Sequence, residues 1–207
     1  MSDVRQPMLE PVAIDDLRPT QMTVGYREVE SKRRSWREKS VKQRTVFFGK
    51  HMIAIILGPK KLPYIIDHHH LSRALHEEKV KQVLVTVVAD LSRLEKAAFW
   101  IFMENRSWVH PYDADGRWCD FDDIPKSDAK LVDDPFRSLA GELRRMGGFA
   151  KGTTPFSEFL WADFLRRQLK RKLVEDDFKG ALEQALALAK SPLADFLPGW
   201  CGPSVDQ

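Results

Sequence analysis

Three short apolar runs stand out along the chain: "HMIAIILG" at 51–58, "LPYIID" at 62–67 and "VLVTVVAD" at 83–90. They are rich in β-branched residues, bounded by Gly or Asp, and apolar at successive positions rather than alternate ones. That pattern predicts strands buried on both faces, inside a sheet covered by helices. "HLSRALHEEKVK" links the second run to the third with helical spacing, and "LSRLEKAAFWIFMEN" follows with Ser92 and Glu95 placed as a capping box. "WVHPYDADGRWCDFDDIP" is a turn-rich, acidic connector, after which the pattern turns helical. "DDPFRSLAGELRRMGG" predicts a helix with Asp134 as N-cap, Pro135 at its first position and Gly147 as its stop. "TTPFSEFLWADFLRRQLKRKL" starts the same way, with Phe156, Leu160 and Phe164 at helical spacing. A third helix over "DFKGALEQALALAKSP" is amphipathic through Leu182, Ala185, Leu186 and Ala189 and ends before Pro192.

The N-terminal third reads differently. Residues 1–8 are expected to be flexible, and "PVAIDDLRPTQ" gives a short apolar segment and a proline-marked turn. From Arg27 to Lys50 nine residues are Lys or Arg and three are Glu, and good helix formers dominate as far as Gln43. One basic helix is predicted there, with Val29 and Trp36 on its narrow apolar side. The elements add up to an α+β fold: a small mixed sheet with flanking helices over residues 9–111, then a connector and helical region over 112–207, packed on the first domain.

Composition narrows the class. With 207 residues, 43% of them hydrophobic, the chain is long enough to bury a good core. The 33 basic residues barely exceed the 30 acidic ones, so overall charge does not argue for nucleic acid; local clusters must. Cys119 and Cys201 are far apart and lie in no CxxC pattern, which speaks against a disulfide scaffold or a zinc site and fits a reducing cytoplasm. The N-terminus has no apolar signal region, and "MIAIIL" is far too short to span a bilayer, so no membrane partner is expected.

The chemistry concentrates in "YIIDHHHLSRAL", residues 64–75, where a strand runs into an aspartate, three histidines and a helix. A helix entrance presents unpaired amides and the positive end of the helix dipole, and so favours anions. In this reading Asp67 is the N-cap, His68, His69 and His70 add donors for a phosphate or carboxylate, and Arg73 adds a permanent charge one turn on. The competing reading is structural: a capped helix whose histidines are solvated or bonded to backbone. A metal is a third reading, with His68 and His70 on one side of an extended stretch and His51 or Asp67 as further ligands. Adjacent histidines cannot all reach one ion, however, and no HExxH is present. No GxGxxG or GxxxxGK[ST] occurs, so the common dinucleotide and P-loop readings are poor.

The order "DLRPTQMTVG", basic helix, "LPYIIDHHHLSRAL", strand resembles the ParB/sulfiredoxin superfamily. Its phosphate-binding motif reads Asp-Gly-His-His-Arg in the free-serine-kinase branch and Gly-Gly-Cys-His-Arg in sulfiredoxins. Aligning the aspartate places His69 and His70 on the two residues after the glycine. With "DDPFRSLAGELRRMGGFAK" and "EFLWADFLRR" included, the chain is most similar, over nearly all of 10–175, to the bacterial ParB-like nuclease group. The resemblance implies binding of a nucleotide or other phosphorylated ligand, with phosphoryl transfer or phosphodiester hydrolysis as the associated chemistry. A nucleoside di- or triphosphate with a divalent metal is the implied cofactor set, while the sequence leaves the metal's ligands and the oligomeric state unknown. Serine-kinase relatives place a catalytic glutamate where Glu28 and Glu30 lie, and the resemblance does not choose between them. The structural reading of both is an offset to Lys32, Arg33 and Arg34 at helical spacing.

Departures from the motif limit what carries over. His69 stands where sulfiredoxin has its nucleophilic cysteine, so that reaction is excluded. His68 replaces the glycine, and Leu71 the arginine, leaving Arg73 two positions late. The alternative function is a non-enzymatic, DNA-associated partition or regulatory protein with a nucleotide switch or a vestigial pocket. In it Arg33, Arg34 and Arg37 track the phosphate backbone and Trp36 serves as a stacking platform. "RRQLKRK", 166–172, invites the same role. No helix-turn-helix is evident after residue 112.

Overall fold

A computed structural model describes residues 6–7 and 11–203. The chain divides into two compact units, one made of residues up to Asp113 with Arg117–Val132, the other of Ala114–Gly116 with Asp133 onward. The first unit holds strands β1 (Gln6–Pro7), β2 (Val12–Ala13), β3 (Thr23–Val24), β4 (Ile53–Leu57), β5 (Pro63–Ile65), β6 (Gln82–Val83) and β7 (Val85–Asp90). Its helices are α1 (Tyr26–Arg37), α2 (Val41–Lys50), α3 (His69–Glu77) and α4 (Lys96–Asn105). The expected flexibility of 1–8 lies outside the described residues except at Gln6–Pro7, whose backbone pairs with β7.

The three apolar runs become β4, β5 and β7, in a four-stranded sheet of order β1-β7-β4-β5. β4 and β7 run parallel, and β1 and β5 are antiparallel to their neighbours, so the sheet is mixed as expected. Successive residues of a strand point to opposite faces. Ile55 and Ile56 are both fully buried, so both faces of β4 are covered. Ile55 packs with Ile53, Ile65, Leu71, Leu75 and Trp36 on the face beneath α1 and α3. Ile56 packs with Phe99, Trp100 and Met103 of α4 on the other.

The single basic helix expected from 27 to about 43 is two helices. The first ends at Arg37 with Glu38 as its C-cap, and Ser40 starts the next: its hydroxyl accepts the Gln43 amide while the Gln43 side chain accepts the Ser40 amide, a reciprocal cap. The capping box expected at Ser92 and Glu95 does not form; Ser92 donates its amide to Asp90, and Glu95 is an N-cap without a side-chain bond.

In the second unit, α5 (Pro135–Arg145), α6 (Ser157–Gln168), α7 (Arg171–Asp176) and α8 (Phe178–Ala189) surround a core of Leu139, Leu143, Trp161, Leu165 and the one-sided alanines Ala181, Ala185 and Ala189. Asp134 caps α5 and Pro135 opens it, as expected. α6 starts at Ser157, after Phe156 in a left-handed conformation, rather than at Pro155. Arg166, expected on an open basic face, is bonded to the buried Asp134 at 2.7 Å. Among the described residues no helix is long and apolar enough to cross a membrane.

Gly58, between β4 and β5, has no room for a side chain: a Cβ there would lie 2.5 Å from the Tyr64 ring and 2.9 Å from Phe99. Gly58→Ala is expected to cost about 1–3 kcal/mol by overpacking, read as a lower denaturant midpoint with an unchanged slope.

Candidate functional site

β5 ends at the buried Ile65 and α3 begins at His69, so the Asp67–His70 junction lies where a core strand passes into a helix. The N-cap is His68, not Asp67 as expected. His68 adopts the left-handed region at φ 71°, and Asp67, whose side chain is 73% exposed, accepts the His68 amide at 2.7 Å. The turn needs positive φ at the position where the superfamily motif carries glycine, which gives that glycine a conformational reason. The first intrahelical bond runs from the Ser72 amide to the His68 carbonyl, so the amides of His69 and Leu71 lie ahead of the helix's own hydrogen-bond ladder. The ring of His68 is 40% exposed beside them.

His69 and His70 do not face solvent. The two residues are 6% and 8% exposed, and their rings turn toward the segment between β2 and α1. His69 Nε2 accepts the Thr20 amide at 3.2 Å, while the Thr20 hydroxyl donates to the Ile65 carbonyl at 2.6 Å. His70 Nε2 accepts the amide of Gly25, the N-cap of α1, at 3.0 Å. Burial lowers the His69 pKa to about 3, so its ring is neutral, with the proton on Nδ1. The two imidazoles therefore hold backbone, and the expectation that they present N–H donors to an incoming phosphate is corrected for these ring atoms.

Arg73 is also turned inward, at 9% exposure. It donates to the Asp128 carbonyl at 2.7 Å and to Glu77 at 2.7 and 3.0 Å, and it lies over the Tyr26 ring. Its expected role as an open phosphate ligand is corrected by this set of partners. Asp128, unremarked in the sequence, is 1% exposed; Ser72 donates to one of its oxygens, and the other has no partner. Burial raises its pKa to about 7, against the opposing effects of Ser72 and Arg73. Ionisation would leave a charged oxygen uncompensated in the interior.

The structure separates the two glutamates. Glu28 lies in the first turn of α1, 3.8 Å from His70 Nε2 and 3.4 Å from Lys32. Glu30 is exposed and pairs with Arg33. Gly25 at the head of α1 bonds to His70 at the head of α3, so two helix entrances and the Glu28 carboxylate converge.

The expected nucleic-acid surface on α1 is largely consumed. Trp36 is 7% exposed and packs between Phe47 and Phe48, so it offers no open stacking face. Arg33 and Arg37 converge on Glu78, the C-cap of α3, and Arg33 also reaches Glu77; the bonds from Arg37 and Arg33 lower the Glu78 pKa. Arg34 is the member of the expected set that is exposed with no ion pair among the described residues. An open basic surface lies along α2 and its flanks, where Lys39, Lys42, Lys50 and His51 line a shallow cavity of about 410 Å³ floored by Val46 and Phe47. Among the described residues, no group of three or more His, Cys, Asp or Glu is arranged to hold a metal ion; His68, His70, His51 and Asp67 are not brought together as ligands. The donor set does not fit a protein-ligated divalent metal.

A mixed sheet under helices, with a shared entrance for α1 and α3 and a helical C-terminal part, defines a ParB-like α+β protein. Residues 10–167 match the model of the family described as "Putative ParB-like nuclease", and the chain belongs to that family. It is similar to the crystal structure of protein Atu1540 from Agrobacterium tumefaciens, with 52% identity and a TM-score of 0.89 over 96% of this chain and 100% of that one. No curated protein matches it.

Two outcomes follow from this geometry. A left-handed histidine costs about 1–2 kcal/mol, and glycine's greater freedom when unfolded returns part of that, so His68→Gly is expected to raise stability by up to about 1 kcal/mol in urea titrations. For Asp128 the folded carboxyl titrates near 7 against 3.8 when unfolded. The folded state therefore binds the proton more tightly between those values, and the contribution to stability is complete below pH 4, falls as pH rises to 7, and is flat above. Asp128→Asn keeps a neutral isostere and removes that fall. Its stability relative to the parent should rise by on the order of 2–4 kcal/mol from pH 4 to 7.5, measured by denaturation at several pH values.

Proposed function

We propose that the protein binds a nucleotide or other phosphorylated ligand where α1 and α3 begin. The observation that carries this reading is the convergence of two helix entrances on one rigid mount, joined by the 3.0 Å bond from Gly25 to His70. Phosphate oxygens would rest on the amides of His69 and Leu71 in the first turn of α3, with the exposed His68 ring as a further donor. Asp67 orients this turn through its bond to the His68 amide. His69 and His70 act on the ligand through the backbone they hold rather than through their rings.

Phosphoryl transfer or phosphodiester hydrolysis is the chemistry we assign to this site, with Glu28 as the base rather than Glu30. A hydroxyl or water oxygen bonds to phosphorus as the bridging P–O bond breaks; its proton passes to Glu28, and the leaving oxygen takes one from solvent. The second reading, a DNA-associated protein that does not turn over its ligand, is favoured by the lysine-lined surface of α2 and by the inward-turned imidazoles. Lys39, Lys42 and Lys50 would then meet phosphate backbone in place of Arg33 and Arg37.

Thermal-shift and calorimetric titration with ATP, ADP, CTP, GTP and inorganic phosphate tests the site, since a ligand selective for the native state raises Tm. His68→Asp keeps a residue tolerant of left-handed backbone and adds a repelling charge. It is expected to weaken binding at least tenfold, whereas Glu28→Gln should retain binding and abolish turnover. Absence of a shift with every ligand, or affinity unchanged in His68→Asp, rules the site out. For the second reading, Lys42→Glu with Lys50→Glu should flatten the salt dependence of DNA affinity, and an unchanged salt slope refutes it.

A further inference from the structure

A second cavity, of about 370 Å³, opens at the head of β5, and none of its lining residues belongs to the α1–α3 entrance. Its volume falls within the usual range for small-molecule sites, roughly 300–1,000 Å³. The floor is apolar and in part aromatic. Tyr64 meets Trp100 edge to face with centroids 5.4 Å apart, and Phe121 stacks on the far part of that cluster at 5.3 Å and 11°. Pro19, Leu62 and Ile124 complete it.

The rim is cationic. Arg18, Lys60, Lys96 and Lys126 line it against one carboxylate, Asp122, which Lys96 neutralises. Arg18 is anchored by one bond, from Nη1 to the Lys126 carbonyl at 3.1 Å, and its Nε is buried without a partner. A guanidinium with unspent donors is unusual beside an apolar floor. Lys60 and Lys61 both adopt left-handed backbone, at φ 60° and 57°, in a turn closed by the Gly58 amide bonded to the Leu62 carbonyl. Two successive non-glycine residues in this region are held there at an energetic cost by the surrounding turn. Gly58 keeps the Tyr64 ring in place, since any side chain at that position would occupy the ring's space.

We propose that this cavity binds a small organic anion with a flat aromatic body and a single terminal carboxylate or phosphate. The body lies on the Tyr64, Leu62 and Ile124 floor, and the anionic end meets Arg18, Lys60 and Lys126. Neither half suffices: the floor gives an inorganic anion nothing to cover, and the uncompensated cations give a neutral aromatic no reason to prefer this site over bulk. The mixture of apolar floor and convergent charge is what a carboxylate- or phosphate-bearing aromatic requires.

Calorimetric titration of the full chain with phenyl phosphate, benzoate, benzyl alcohol and inorganic phosphate separates the two contributions. Phenyl phosphate or benzoate is expected to bind, with benzyl alcohol and inorganic phosphate at least tenfold weaker. Binding by phenyl phosphate but not benzoate, or the reverse, names the terminal group. Lys60→Glu and Lys126→Glu, both at exposed positions, should weaken that binding at least tenfold without changing Tm in the absence of ligand, and His68→Asp should leave it intact. The proposal is overturned if neither aromatic anion binds at millimolar concentration, if benzyl alcohol or inorganic phosphate binds as well as they do, or if charge reversal at both lysines leaves affinity unchanged. Loss in His68→Asp alone would assign the binding to the α1–α3 entrance instead.

Discussion

Two backbone amides, those of Thr20 and Gly25, are satisfied by imidazole nitrogens instead of by carbonyls. The chain between β2 and α1 has little regular structure of its own, and buried amides must find acceptors. Neutral histidine supplies one from a helix that is already anchored under the sheet. Because His69 and His70 are adjacent, they fix both ends of the segment against one turn of α3, which sets where α1 begins and how Glu28 stands to that turn. The bond requires the unprotonated ring: a charged imidazole at His69 would lose its acceptor and carry charge into the interior.

Charge is arranged around this mount with the same economy. The basic residues of α1 that face α3 are met by Glu77 and Glu78, so much of the apparent positive surface is neutralised along a partly exposed seam between two helices. His69 and Asp128 then act in opposite directions with pH. The histidine, with its folded pKa near 3, favours the native state more as pH rises from 3 to 6.5, whereas the protonated carboxyl favours it less as pH rises from 4 to 7. Their opposed slopes across overlapping ranges flatten the net dependence over mildly acidic conditions.

The strands were legible because an apolar residue at every position of 53–57 has one physical meaning, burial on both faces. The α5 cap was legible through Asp134 and Pro135. The break at Ser40 is written in the Ser40–Gln43 spacing, but a uniformly basic, helix-favouring composition hides it. The left-handed turn at His68 is not legible, since histidine has no local reason to adopt it and the demand comes from the strand-to-helix angle. Nor is the direction of His69 and His70: imidazole serves equally as a buried acceptor or an exposed donor, and the deciding partners lie 45 and 49 residues away. Asp128 stands in a connector crowded with aspartates, and nothing local distinguishes the one that folds inward.

The sheet's margins carry a further consequence. Among the described residues β1, at one edge, pairs through Gln6 and Pro7, and β5, at the other, is three residues long with its outer side taken up by the backbone of Arg18, which donates to the Pro63 carbonyl and accepts the Ile65 amide. An unpaired ladder of backbone groups is what recruits a foreign strand. With those backbone groups already paired, the β5 margin gives little template for edge-to-edge stacking.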